Sequence, residues 1–412
     1  MPQSSFRPTA PGPLEGLRVL EIGHFIAAPF CTHLLADLGA DVIKLEPPRG
    51  DPLRQWGQHI DGNSVWWSVF GRNKRSVTLD LKTEEGRELT LQLAAQCDAV
   101  VENFRPRQLA KMGLGDDVLR RVRPDLIIAH VSGYGQDGPY RDRAAFGVIG
   151  EAMGGLRYLT NHAPGSTTLP PVRVGVSIGD SIAGLYAALG VVAALYRRGK
   201  GAGSSGATLD VALTDSVLSL MEGMLPEYGA FGTIKQPTGG AIATAAPSNA
   251  YPTADGHWLL IAANSDALFA KLADLIKLDE LRHPDFDGNR NRVRHAERLD
   301  ELIRSWTINV SIDELQRALN AGDIPNCKVF TVADIARDPQ FRYREMVFEV
   351  DDPVLGTVLH PGVVPRMTEA PGGVRWPGPK TGAHNTEILG DMLGLSAEAI
   401  ATLRTKGVIC DG

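Results

Sequence analysis

The chain predicts an α/β fold: a doubly wound, Rossmann-like large domain followed by a smaller α+β domain. Three observations predict it. Short apolar runs rich in β-branched residues recur along the first half of the sequence. Helical patterns separate them, and strands that alternate with helices in this way lie parallel in one open sheet. Past residue 232 the composition shifts to Gly, Ala, Thr and Pro, after which the alternation stops.

Leu17-Arg-Val-Leu-Glu-Ile22 reads as the first strand. A helix begins at Ala28-Pro29, where proline suits the first turn, and stops at Gly39. Asp41–Glu46 is the second strand, completing a β-α-β unit. Ser76–Asp80 is a strand, Glu84–Gln96 a helix and Ala99–Glu102 a strand. Gln108 to Arg121 is helical with a break at Gly113-Leu-Gly115, and Leu126–Val131 is the next strand. Ile182 to Leu195 has almost no polar face, so this helix is expected to be buried on most sides. Ala207–Leu213 is a strand, and a helix runs on through Met224. Gly232 to Pro252 reads as a linker or mobile loop. Beyond it come a strand at Trp258–Ala262 and helices at Asp266–Ile276, Arg294–Ser305 and Ile312–Ala321. A hairpin at Val347–Val350 and Gly356–Leu359 and two short helices, Glu387–Leu393 and Ala397–Thr402, close the chain. The large domain is assigned to 1–224, the small one to 225–335, and 336–412 forms a closing segment.

Composition narrows the function. With 412 residues, 43% hydrophobic and 22% charged, the chain is an ordinary globular protein long enough for two domains. A formal charge of −6 argues against non-specific nucleic-acid binding. Cys31, Cys97, Cys327 and Cys410 lie far apart with no His at metal spacing, which predicts reduced thiols and no zinc site. Met1 to Pro13 lacks an apolar core and reads as a loose arm, not a signal peptide. No segment reaches the roughly 18 uninterrupted apolar residues of a membrane span. A cytoplasmic protein is expected.

Asp180 carries the chemistry of the first half. It sits in Val174-Gly-Val-Ser-Ile-Gly-Asp-Ser-Ile-Ala-Gly184, at the head of the apolar helix. Unpaired N–H groups and the positive end of the helix dipole face a carboxylate placed there. Its plainest role is an N-cap, worth about 1 kcal/mol. Gly175, Gly179 and Gly184 admit a ligand or a second backbone beside it, and a carboxylate with room beside it can act as a nucleophile.

Gly133-Tyr-Gly-Gln-Asp-Gly138 matches G-x-G-x-x-G after a strand. That strand is not the first of the sheet, Pro139 follows, and no strand ending in an acidic residue comes about twenty residues later, so the dinucleotide criteria fail. Asn103-Phe-Arg-Pro-Arg107 also follows a strand; Arg105, Arg107 and Lys111 beside that terminus would suit a phosphate, or form a solvated turn. With Arg72-Asn-Lys-Arg75 they hint at a polyanionic small ligand. His24 and His130 read as structural. No G-x-S-x-G, Walker or metalloprotease motif is present.

Several of these segments together resemble the class III CoA-transferases, the formyl-CoA transferase and carnitine CoA-transferase group. They are Leu17–Ile22, Leu38–Glu46, Asn73–Lys82, Val101–Pro106, Ser132–Gly135, Gly179-Asp180, Ala246–Pro252 and Gly382–Leu389. The likeness covers nearly the whole chain after the first dozen residues. It implies an interlocked homodimer in which each chain forms a ring through which the other passes, the closing segment returning to the large domain. It implies Asp180 as nucleophile, passing through an aspartyl anhydride and an aspartyl-CoA thioester. The CoA thioester would be a substrate, with no cofactor held permanently and a small carboxylic acid as the other partner. CoA would contact Leu79 to Lys82, Asn103, Phe104, Arg105, Lys111 and the loop holding Gly133, Tyr134 and Gly135.

The sequence also departs from the formyl-CoA branch. Ile26 stands where that branch has Gln, Pro47 where it has Arg (leaving Arg49 as a substitute), and Gly239-Gly240 is what remains of a glycine-rich lid. An α-methylacyl-CoA racemase is the alternative within the fold, but Ala145-Phe146-Gly147 lacks the His that would share proton transfer with the Asp. A non-catalytic CoA-binding protein is the alternative outside catalysis. Arg72, Lys74, Arg75 and Arg173 are candidates to meet a second carboxylate, which points to a dicarboxylate such as succinate and to succinyl-CoA as donor; surface solvation or a phosphate contact would employ the same residues.

Overall fold

The computed structural model describes residues 11–201 and 205–412, so most of the expected N-terminal arm lies outside the described residues. Two compact units form. One takes the chain up to Leu156, Val174–Leu225 and Pro339–Gly412; the other takes Arg157–Arg173 and Pro226–Asp338.

In the first unit, β1 (Arg18–Glu21) leads through α1 (Ala27–Asp37) to β2 (Asp41–Glu46), with the chain turned at Gly39, φ 106°. There follow β3 (Lys74–Thr78), α2 (Glu84–Ala95), β4 (Ala99–Glu102), α3 (Asp116–Val122) and β5 (Ile127–Ser132). Then come α4 (Gly147–Met153), α5 (Ile178–Gly199), β6 (Thr208–Ala212) and α6 (Leu213–Leu218). Strands β1 to β6 form one sheet in the order β3-β2-β1-β4-β5-β6, every pair parallel. The order reverses between β1 and β4, the switch point at which open α/β sheets carry their ligand crevice.

Both faces of this sheet are covered, which is why its strands read as continuous apolar runs. Leu20, Ile43, Leu45, Val77, Val100 and Ile128 point to one face, with Leu89 and Leu93 of α2 and Leu119 of α3. Their sequence neighbours Val19, Val42, Val101, Ile127 and Ala129 point to the other, with Ala28, Cys31 and Leu35 of α1 and Ala183, Ala187 and Val191 of α5. The closing segment joins the first face through Ile388, Leu389, Ile400, Leu403, Val408 and Ile409.

That segment also covers the open edge of β3. Thr78 donates its N–H to Asn385 Oδ1 at 2.8 Å, and the His384 N–H reaches the Ser76 carbonyl at 2.9 Å. Asn385 Nδ2 in turn donates to Thr78 Oγ1 and to the Cys410 carbonyl, both at 3.0 Å. The Gly382–Leu389 motif therefore closes a sheet edge that would otherwise present unpaired backbone groups.

Three expectations change. Strand β3 starts at Lys74, because its two leading cations are held inside the fold and not solvated. Helix α5 is not buried on most sides: Leu185, Leu189, Val192 and Tyr196 form an exposed apolar stripe at helical spacing. The same helix, 22 residues with mean hydropathy 1.7 over its most apolar stretch, is long and apolar enough to cross a membrane, contrary to the count of uninterrupted residues. Gly179, Ser181, Gly184 and Gly190 break that count without making the helix polar; here Ala183, Ala187 and Val191 pack beneath the sheet against α1.

In the second unit, β7 (Ser248–Pro252), β8 (Trp258–Ala262) and β9 (Asn326–Lys328) form an antiparallel sheet with β8 in the middle. It packs on α7 (Asp266–Ile276), α8 (Ala296–Thr307) and α9 (Ile312–Ala321) through Tyr251, Leu259, Ile261, Leu272, Ile303 and Leu315. The last five residues of the expected linker are thus strand: Pro247 and Pro252 resemble loop punctuation, but Tyr251 is buried and its hydroxyl donates to Asp300. In the first unit β10 (Val347–Asp352) and β11 (Gly356–Pro361) form the expected hairpin. Helix α10 (Ala397–Thr405) closes the chain.

Candidate active site

Asp180 is the third residue of α5, and Ser177, not Asp180, occupies the N-cap position. The N-cap role expected for Asp180 is therefore not the one it has. Its carboxylate lies against Gly147, the first residue of α4: a Cβ on Gly147 would fall 2.1 Å from Asp180 Oδ2, and one on Gly179 would fall 2.5 Å from the Gly147 carbonyl. Two glycines thus let two helix N-termini meet at one carboxylate, where both backbones favour negative charge. Phe146, just before Gly147, is 70% exposed.

The loops leaving β1 and β4 at this switch point are bonded to one another. Asn103 accepts the His24 N–H and donates to the His24 carbonyl, each at 2.8 Å, tying the two loops together. The His24 ring meets the Phe104 ring edge-on at 5.2 Å. Beneath the β1 loop, buried Lys44 bonds Glu21 Oε1 (2.7 Å), Asp51 Oδ2 (2.6 Å) and the Gly23 carbonyl. Burial alone would raise the Glu21 carboxyl, but Lys44 and Lys74 pull it down to about 2. Asp51 Oδ1 accepts the N–H of Phe25 at 3.2 Å, and Phe25 itself takes φ +62°, a conformation held by this cluster. Burial and the Lys44 charge push His24 below the ordinary histidine range.

Not every expected contact residue is available. Leu79 is a fully buried core residue, backbone included, and its N–H is bonded to the Glu46 carbonyl at 2.9 Å. The Asn103 side chain is engaged with His24. Arg105, Lys111 and Lys82 are exposed beside the carboxyl ends of β4 and β3. Gly133 and Gly135 have local reasons to be glycine: a Cβ at 133 would fall 2.3 Å from the Ala145 side chain, and Gly135 has φ +92°. Tyr134 between them stands edge-on to Tyr140 at 5.8 Å. Arg49 lines a polar cleft of about 340 Å³ with Arg54, Trp67, Asp352, Lys380 and Thr381; neither Asp180 nor Arg105 lines it.

The second basic cluster is corrected. Arg72 forks onto Asp37, Lys74 bonds Glu21 at 2.9 Å, and Arg75 bonds both Asp41 and Glu387. Arg72 and Lys74 are each 1% exposed. They balance buried carboxylates and cannot meet a ligand. Sequence reading missed this because a run of cations gives no sign of the acids that fold against it. It also missed Gly147 and the pairing of Glu102 with His130, whose only sequence trace is that each lies near the end of a strand.

The sequence matches CoA-transferase family III over residues 14–385. The chain belongs to this family. Among its relatives is the succinyl-CoA–D-citramalate CoA-transferase of Chloroflexus aurantiacus, 47% identical over 98% of this chain and 100% of the relative. Another is the β subunit of the succinyl-CoA–L-malate CoA-transferase of the same organism, 38% identical over 96% and 98%. A crystal structure of a CAIB/BAIF family protein from Brucella suis superposes with TM-score 0.83 at 32% identity, covering 93% of this chain and all of that one. The protein is thus a family III CoA-transferase with a mixed α/β fold and a parallel central sheet, and CoA thioesters are the substrates of its family. For a CoA-transferase, loops at the carboxyl ends of parallel strands and a carboxylate at two helix N-termini are fitting places for a thioester and for its chemistry.

Proposed function

We propose that the protein moves CoA from succinyl-CoA to a small dicarboxylic acid of the citramalate or malate kind, with Asp180 as the nucleophile. The observation that carries this is the placement of the Asp180 carboxylate at the paired N-termini of α4 and α5, with no side chain at Gly147 to crowd it. The donor and acceptor are supported by the two Chloroflexus relatives, which share a succinyl-CoA donor and use a hydroxy-dicarboxylic acid.

The chemistry balances without redox or ATP. Asp180 attacks the thioester carbonyl, the C–S bond breaks, and a succinyl–aspartyl anhydride forms as CoA thiolate leaves. The thiolate attacks the aspartyl carbonyl, releasing succinate and leaving an aspartyl-CoA thioester. The acceptor carboxylate displaces the thiolate to make a second anhydride, and the thiolate then takes the acceptor's acyl group, restoring Asp180. Each step passes through an oxyanion, and the N–H groups of two helix starts are the donors at hand. CoA lies in the crevice between β1 and β4, near Arg105, Lys111 and the Gly133–Gly135 loop. The active form is a cytoplasmic homodimer, and the exposed Leu185, Leu189, Val192 and Tyr196 stripe of α5 supports a protein surface against it.

The test is mass-spectrometric acyl exchange between panels of CoA thioesters and carboxylic acids. Wild type is expected to exchange succinyl-CoA with a dicarboxylate, and Asp180→Ala to lose on the order of 1,000-fold or more in kcat while still binding CoA. Exchange of a 2-methylacyl-CoA α-proton with solvent in place of CoA transfer would make it a racemase. CoA binding with no reaction in either protein would make it a binding protein only.

A further inference from the structure

His130 is one of several buried ionisable groups that the mechanism does not use. It is 8% exposed and lies opposite Glu102 in the parallel register of β5 and β4. Its Nδ1 meets Glu102 Oε1, and its Nε2 meets Asp116 Oδ1 at 3.0 Å, where Asp116 is the first residue of α3. Ionised carboxylates only accept, so both ring nitrogens must donate and the ring is an imidazolium. Burial alone would push His130 down, but its hydrogen bonds to Asp116 and Glu102 push it up to about 10.

Each carboxylate passes the constraint on. Asp116 Oδ2 accepts from Thr208 Oγ1 of β6 at 3.0 Å, and Arg120 also donates to that hydroxyl. Asp210, the register partner of His130 on β6, accepts the Gln136 N–H at 2.9 Å. Glu102 Oε2 accepts the N–H of Phe104 at 2.6 Å. Phe104 in turn holds the His24 ring, and Asn103 beside it clamps the His24 backbone. An unbroken chain of contacts therefore runs from β6 to the wall of the crevice where the strand order reverses.

We propose that His130 is a positioning residue for the acyl-CoA substrate: held between Glu102 and Asp116, it fixes the Phe104 backbone and with it the crevice between β1 and β4. Given the assignment of that crevice to CoA, on which this depends, the imidazolium touches no reacting atom and acts through Glu102 alone. Its loss leaves Glu102 as an uncompensated buried charge that must swing away or take a proton, and either change alters the acceptor offered to Phe104.

The experiment measures CoA affinity by calorimetry, and KM and kcat for the acyl-CoA, in wild type, His130→Gln and the double variant His130→Gln with Glu102→Gln. The double variant replaces the ion pair by two amides, leaving an acceptor for the Phe104 N–H. His130→Gln is expected to weaken CoA binding and raise KM about tenfold with kcat nearly unchanged, and the double variant to recover most of this. Unchanged affinity and KM in a folded His130→Gln protein, whatever its thermal stability, overturns the proposal. Should His130→Gln fail to fold, Asp116→Asn at the partly exposed end of the chain of contacts takes its place: a several-fold rise in KM supports the proposal and no change overturns it. Wild type that binds no CoA would show that the crevice assignment itself had failed, a result distinct from either.

Discussion

At the residue scale, Gly147 decides more than its neighbours. A methyl group there would fall 2.1 Å from Asp180 Oδ2, closer than van der Waals contact allows, so the carboxylate must rotate or α4 must retreat. Displacing a reacting group by about 1 Å costs roughly 100-fold in rate. Gly147→Ala is therefore expected to lower kcat by about two orders of magnitude with little change in CoA affinity, measured as exchange rate beside calorimetric binding. Equal kcat in the variant would mean that Asp180 does not react from this position. The cations at 72, 74 and 75 teach the opposite lesson: a Lys or Arg is a ligand candidate only when no carboxylate folds against it, and here Asp37, Glu21 and Asp41 do.

At the element scale, α5 serves two surfaces. Ala183, Ala187 and Val191 are small enough to bring it close beneath the sheet, and a Cβ at Gly184 would meet the Ala27 carbonyl of α1 at 2.6 Å. The opposite side carries Leu185, Leu189, Val192 and Tyr196, exposed at 56, 61, 37 and 68%. An apolar stripe of this kind supports the proposed contact with a second copy of the chain. In the proposed homodimer, Leu189→Glu with Leu185→Glu is expected to shift the protein from dimer to monomer in light scattering and to abolish exchange, while circular dichroism stays helical. A dimer that persists would assign the stripe to some other contact.

At the scale of the whole molecule, buried histidines set the pH window of stability. Burial depresses His33 to about 3, and burial with the Arg72 charge depresses His360 to about 4. Both are neutral in the fold but take protons in the unfolded chain below about 6.5. Their contribution is present above that value and is lost as pH falls toward 4. His130 works in the other direction: raised to about 10, it stabilises fully below about 6.5, and this is lost as pH climbs toward 10. The urea midpoint is expected to peak near neutrality and fall on both sides. His33→Gln should flatten the acid limb and His130→Gln the alkaline one. A midpoint that is flat from pH 4.5 to 7 would contradict the neutral buried state of His33 and His360.

Much of this protein was determined by its sequence alone. β2, β4 and β8 and helices α7 and α9 fall where apolar periodicity, capping residues and glycine stops place them, because such signals act over a few residues and need no distant partner. The alternation of strand and helix sufficed for a parallel sheet, and the motifs sufficed for the family. Only the tertiary structure decided which charges are free. Arg72 meets Asp37 across 35 residues, Lys74 meets Glu21 across 53, Asn385 meets Thr78 across 307, and His130 is held by Glu102 and Asp116 at once. The same holds for Gly147 behind Asp180 and for the exposed side of α5. A side chain's chemistry is local, but what neutralises, crowds or covers it comes from whatever the fold brings alongside, and no local pattern encodes that.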